Sequence, residues 1–186
     1  MFSIDLADDA QMFPLEARHA EEFFAHIERG REFIGQYVGF PDRSSDLESA
    51  RALLAKYALT AGEDGARFFG IRLDGTLVGG VLFPAFDAQS GNCEIGCWLE
   101  PAAAGRGLVT KACNVLIDYA FGERGMHRVE WHAATGNKKS LAVAERLGMT
   151  REGVMRQNHL HRGVRQDTEI WAILAHEWSP AQAPSA

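Results

Sequence analysis

Two glycines flank an arginine at Gly105-Arg106-Gly107, directly ahead of the helical pattern "LVTKACNVLIDYAF". The first amides of a helix have no internal acceptor and carry partial positive charge. A loop that delivers bare backbone to a helix start is therefore suited to phosphate. Gly105 and Gly107 supply backbone freedom, Arg106 and Lys111 full charges, and Thr110 a hydroxyl. The stretch is neither a GxxxxGK[ST] phosphate loop nor a GxGxxG dinucleotide fingerprint, since the third glycine is absent. By itself, a GxG reads equally as a plain loop.

A second junction changes that balance. "ATGNKKSLAVAERLGM" puts Asn137 and Ser140 at the start of the next helix, one strand further on. One junction offers an anion cradle and its neighbour offers polar side chains. The pair suits a long ligand with a diphosphate at one end and a reactive group at the other.

The elements around these junctions follow from periodicity. "ARFFGIRLDGTLVGGVLFPAF" reads as two strands around Asp74-Gly75, because both central hairpin residues tolerate positive φ. "NCEIGCWL" is a third strand, with Ile95, Cys97 and Leu99 on one face and Glu94, Gly96 and Trp98 on the other. Leu108, Val109, Ala112, Val115, Leu116, Ala120 and Phe121 form a helical stripe ended by Gly122 and Gly125. "HRVEWHAAT" alternates as a strand, and the helix after Asn137 stops at Gly148. "GVMRQNHLHRGVRQDTEIWAILAHEW" reads as a last hairpin turning near Arg162-Gly163. Upstream, "MFSIDL" is a short strand. "PLEARHAEEFFAHIERGREFI" is read as a helix with Pro14 in its first turn and Gly30 as its stop. A second helix runs from about Asp46 to Leu59, capped by Ser45 or Asp46.

The whole chain sets limits. Its 186 residues are 46% hydrophobic and 24% charged, which fits one globular domain over residues 1–178 and a disordered tail over 179–186. A net charge of -6 argues against a general nucleic-acid binder and mildly favours a cationic substrate. Cys93, Cys97 and Cys113 have neither disulfide-like nor zinc-like spacing and read as buried free thiols in a reducing compartment. No run reaches the length of a membrane span and no signal segment begins the chain, so the expected location is the cytoplasm.

The runs "EIGCWLEPAAAGRGLVTKACNVLIDYAF", "NKKSLAVAERLGMTREG" and "RGVRQDTEIWAILAHEW", in that order, closely resemble the GNAT superfamily of acyl-CoA-dependent N-acyltransferases, within it the RimJ/RimL-like branch. The resemblance covers most of residues 68 to 178. It implies an α+β fold, a mixed and mostly antiparallel sheet of about seven strands flanked by about four helices, with splayed central strands. It implies acetyl-CoA as acyl donor, no metal, and an amine-bearing acceptor, either a protein N-terminus or a small molecule. A homodimer fits the class. By position, the amides of Gly105, Arg106, Gly107, Leu108, Val109 and Thr110 would hold the pyrophosphate, and backbone near Trp98 and Leu99 the pantetheine. Asn137, Lys139 and Ser140 would lie toward the pantetheine and sulfur end. The superfamily pattern Gln/Arg-x-x-Gly-x-Gly/Ala is relaxed here to Ala104 and Val109 at its two ends, with Arg106 as a compensating charge. The position that often carries a proton-donating Tyr is Ala144, which leaves Ser140 as the substitute acid.

Direct attack of an amine on a thioester needs a neutral amine, an oxyanion donor and a proton for sulfur. Glu94 and His159 are the candidate bases. Each has a plainer reading, Glu94 as a salt-bridged sheet carboxylate and His159 as a solvent-facing strand residue. Ser140 reads equally as a helix cap. An α-amine of pKa about 7.7–8.0 is roughly 10–20% neutral at pH 7, against far below ~1% for lysine at about 10.4. A site without a strong base therefore suits α-amines. A non-catalytic acyl-CoA sensor, or transfer of another acyl group such as succinyl, remains open at this point.

Overall fold

The computed structural model describes residues 3–179, so the tail expected to be disordered lies, apart from Ser179, outside the described residues. Eight strands form one sheet: β1 (Ile4–Ala7), β2 (Ala10–Pro14), β3 (Arg67–Leu73), β4 (Thr76–Asp87), β5 (Asn92–Leu99), β6 (Arg128–Ala134), β7 (Thr150–His161) and β8 (Val164–Leu174). The helices are α1 (Ala20–Ile34), α2 (Phe40–Arg43), α3 (Leu47–Gly62), α4 (Leu108–Asp118) and α5 (Lys138–Arg146). Strand order is β1-β2-β3-β4-β5-β6-β8-β7. Every pairing is antiparallel except β5 with β6, the one pair that needs a crossover, which α4 provides. This is the expected mixed, mostly antiparallel sheet, with one strand and one short helix more than the approximate numbers anticipated. No helix among the described residues is long and apolar enough to cross a membrane.

The added strand is β2. Pro14 ends this strand and does not open a helix; β1 pairs no further than Met12, and Pro14 faces Phe69 of β3. Proline is tolerated at such a strand end, where ladder bonds stop. Met12 and Phe13 are both buried, on opposite faces, so the segment lacks the alternation that marks a strand in sequence. Gly30 does not stop α1. A Cβ there would come within 2.6 Å of Ile34 Cδ1, so the glycine serves packing inside a helix that continues to Ile34. The cap of α3 is Asp46, whose Oδ1 accepts from the Ser49 amide at 2.7 Å.

Both faces of the central strands are covered. Val81, Phe83, Ile95, Val129 and Trp131 pack beneath α4 and α5, while Leu82, Phe68 and Trp98 pack beneath α1 and α3. Central strands buried on both sides are continuously apolar, and each fully buried Leu or Phe contributes about 1.5–3 kcal/mol. Gly80 pairs with Trp98 across β4 and β5, and any side chain at Gly80 would collide with the Phe69 carbonyl and the Trp98 ring. That space lets the indole stack on Phe68 at 4.7 Å, which fixes the end of β5.

Candidate active site

The site begins with a failure of pairing. β5 and β6 are joined at Asn92↔Arg128, Cys93↔Val129 and Glu94↔Glu130, and at no later residue. Yet β5 stays bonded to β4 as far as Leu99, and β6 to β8 as far as Ala134. The strands therefore diverge beyond Glu94, and among the described residues the polar backbone of residues 95–99 facing β6 has no strand partner. This opens the gap expected between "CWLE" and "HRVEWHA".

At the wide end of the gap lies the glycine loop. Gly105 and Gly107 have φ of 85° and 72°, left-handed values that disfavour other residues, and Gly107 is the N-cap of α4. The first intrahelical bond runs from the Lys111 amide to the Gly107 carbonyl at 3.0 Å. Among the described residues, the amides of residues 105–110 donate to no protein acceptor, and they form one run at a helix start. The two cations assigned to this loop from sequence point elsewhere. The Arg106 guanidinium pairs with Asp9, and Lys111 Nζ donates to the Leu6 carbonyl at 2.9 Å. Instead, Arg146 of α5 reaches Thr110, its Nη1 donating to Oγ1 at 3.2 Å. The sequence reading did not single out Arg146; only the packing of α5 beside α4 brings it there.

The second junction forms as expected. Asn137 caps α5, with Oδ1 accepting from the Ser140 amide at 3.2 Å, and Ser140 Oγ accepts from Trp131 Nε1 at 3.0 Å. Ala144, one turn along the same helix face, is fully buried and contributes only packing. Lys139 Nζ sits 4.8 Å from the centroid of the Phe33 ring, at the end of α1. The segment after α1 is tied down at several points. Tyr37 donates to the Gly136 carbonyl at 3.0 Å, His161 Nε2 lies 2.8 Å from the Gly35 carbonyl, and Arg162 pairs with Asp42. These bonds connect it to the turn before α5 and to the tip of the last hairpin.

The narrow end of the gap carries carboxylates. Glu94 Oε2 lies 3.6 Å from His132 Nδ1, and His132 Nε2 lies 2.9 Å from Glu130 Oε2. Arg128 then joins Glu130 to Glu152 near solvent. Burial pushes the Glu94 carboxyl above its ordinary value, Glu130 adds to the rise and His132 opposes it. His159 shares this sheet face but is exposed on β7, its ring stacked on His161 at 5.8 Å. Three strand steps separate β5 from β7, about 14 Å at the usual ~4.8 Å spacing, so Glu94 and His159 do not serve one proton together. His132 and Glu130 escaped the sequence reading. Alternation in "RVEWHAA" puts them on one face, but nothing local says that this face adjoins Glu94.

Comparison with known proteins agrees with this geometry. Residues 11–150 match the family model described as "Acetyltransferase (GNAT) domain". The chain is 31% identical over 183 residues to the Bacillus subtilis protein named "Putative ribosomal N-acetyltransferase YdaF", covering 96% of this chain and 98% of that one. Among solved structures, the microcin C7 self-immunity acetyltransferase MccE in complex with acetyl-CoA and AMP superposes with a TM-score of 0.85 at 26% identity, covering 92% of this chain and 95% of that one. The ribosomal L7/L12 α-N-protein acetyltransferase RimL, bound to coenzyme A, has the same fold, with a TM-score of 0.87 at 20% identity over 92% of this chain and 97% of its own. With its parted strands and glycine-led helix start, the chain belongs to the GNAT acetyltransferase family, whose members transfer an acetyl group from acetyl-CoA to an amine.

Proposed function

We propose that this N-acetyltransferase acts on the α-amine at a protein N-terminus, with acetyl-CoA lying along the β5–β6 gap. The observation that carries the reading is the gap itself, which has an unpartnered run of amides at one end and Glu94, His132 and Ser140 around the other. Amides of residues 105–110 hold the pyrophosphate, with Arg146 adding charge. The open edge of β5 near Trp98 and Leu99 bonds the pantetheine, and Asn137 shapes the turn beside it. Glu94 takes the amine proton, directly or through water, and His132 links it toward Glu130 and the surface. His159 belongs to the acceptor side of the same face.

In the reaction, the amine nitrogen forms a bond to the thioester carbon. A backbone N–H of β5 stabilises the oxyanion, and collapse breaks the carbon–sulfur bond. The Ser140 hydroxyl gives its proton to the departing thiolate and regains one from solvent. A modest base such as a buried carboxyl suits an amine already partly neutral at pH 7, which favours α-amines over lysine. The names of YdaF and RimL, both ribosomal acetyltransferases, support a protein acceptor. The MccE name supports a small-molecule acceptor as the second reading.

The test is release of free CoA thiol from acetyl-CoA in the presence of an amine panel. The panel holds peptides with free α-amines, the same peptides with blocked N-termini and one lysine, polyamines, and small amine metabolites. Turnover confined to free α-amines is expected. Turnover with small amines alone moves the assignment to the second reading, and binding of acetyl-CoA without turnover on any amine overturns both. The homodimer is proposed on resemblance alone and the cytoplasmic site on the reading of the three cysteines as free thiols; a monomer mass in sedimentation removes the first.

A further inference from the structure

We infer that Trp131 is the positioning residue that turns the Ser140 hydroxyl into a proton donor; this rests on Ser140 acting as the acid of the proposed reaction. A serine hydroxyl has one hydrogen and two lone pairs, and its rotor takes the orientation that its partners dictate. An indole N–H can only donate. The 3.0 Å contact from Trp131 Nε1 therefore makes Ser140 Oγ the acceptor, which leaves its own hydrogen to point away from the indole. Among the described residues that hydrogen is given to no protein acceptor, while the Ser140 amide is already held by Asn137 Oδ1.

Trp131 is well placed for such a task. It is 1% exposed, packed into the core beneath α4 and α5, and it lies on β6 just beyond the last residue paired with β5. Its ring cannot follow the serine if α5 shifts, so the direction of the bond is set by the sheet. The neighbouring residue on the same strand, His132, points to the opposite face and contacts Glu94. One step along β6 thus organises both proton transfers, the acid on one face and the base on the other. A preorganised donor aimed at a developing charge costs no reorientation when the thiolate leaves.

The test uses two replacements at Trp131 in the full-length chain. Trp131→Phe keeps an aromatic ring and removes the N–H. Incorporation of 3-benzothienylalanine keeps the shape and exchanges only N–H for sulfur, so it serves where the smaller ring unfolds the protein. Steady-state kinetics are measured for both, for Ser140→Ala, and for each combined with Ser140→Ala. The expected result is a fall in kcat of about 3- to 10-fold at unchanged KM for acetyl-CoA, the size of one lost hydrogen bond. The double variants should be no slower than Ser140→Ala alone. If Ser140→Ala slows the enzyme while the benzothienyl variant retains full kcat, the role of Trp131 is refuted and Ser140 stands as the acid. If Ser140→Ala itself leaves kcat intact, the acid assignment fails and this inference falls with it. Equal losses from Trp131 replacement with and without Ser140 would reduce the tryptophan to packing.

Discussion

Replacing Gly107 with alanine isolates the conformational part of the cradle. The residue sits at φ 72°, where an L side chain costs roughly 1–2 kcal/mol. An added Cβ at Gly107 would meet nothing within 4 Å, so the cost is one of backbone and not of collision. That penalty must surface in one of two measurements. If the loop keeps its shape without ligand, the folded state is destabilised. At about 2–4 °C per kcal/mol for a chain of this size, Tm then falls by about 2–8 °C. If the exposed loop instead relaxes, Tm is preserved and the cost is met on binding. KM for acetyl-CoA then rises about 5- to 30-fold, since 1.4 kcal/mol is a factor of ten. Gly107→Asn should cost less on either scale, because asparagine tolerates the left-handed region better. The assay is thermal unfolding of the free protein together with KM for acetyl-CoA, for both variants. Gly107→Ala unchanged in Tm and in KM, or Gly107→Asn worse than Gly107→Ala, would refute the claim that this φ sets the cradle.

Three further outcomes are expected. The raised Glu94 carboxyl makes kcat/KM climb with pH through a value above the ordinary carboxylate range, and Glu94→Gln should abolish that limb. Because the folded state holds this proton more tightly, Glu94 weakens folding as pH rises from the unfolded carboxylate value through the folded one. Urea unfolding at pH 8 should accordingly show Glu94→Gln more resistant than the parent chain, and a less resistant variant would contradict the assignment. Asp64 is held well below the usual carboxylate range by hydrogen bonds from Arg124 and Arg67, so its contribution is present above its unfolded pKa and lost as pH falls. Asp64→Asn should flatten the acid limb of stability without altering kcat, measured as the denaturant midpoint between pH 6 and 3. Finally, His26 is fully buried between Trp98 Nε1 at 2.9 Å and Glu100 Oε1 at 2.5 Å, and burial lowers its pKa. His26→Leu leaves the Trp98 N–H without its acceptor and Glu100 with Arg29 alone, and should cost about 1–3 kcal/mol; denaturant unfolding within ~0.5 kcal/mol of the parent would argue against that network.

The site was only partly legible before the structure. The loop proposed as the cradle was legible at Gly105 and Gly107 because their need for positive φ is local, and the α5 junction at Asn137 and Ser140 because caps are local too. The charges around them were misplaced. Arg106 lies as close to the cradle in sequence as a residue can, yet it pairs with Asp9 of the first hairpin, while the distant Arg146 reaches Thr110. Neither choice has a local signature, because long flexible side chains go where tertiary packing offers a partner.

From sequence alone came the strand and helix order from residue 67 onward, the turns at Asp74-Gly75 and Arg162-Gly163, and the two helix starts at Gly107 and Asn137. Each depends on φ, on capping or on periodicity, all properties of a few neighbouring residues. The tertiary structure alone decided that β2 exists, that Gly30 lies inside a helix, and that β5 and β6 pair for three residues and then part. It alone placed His132 against Glu94 and the Trp131 indole on Ser140. The first contact joins residues far apart in the chain across a parallel pair, whose register no local pattern encodes, and the second depends on how α5 folds back onto β6.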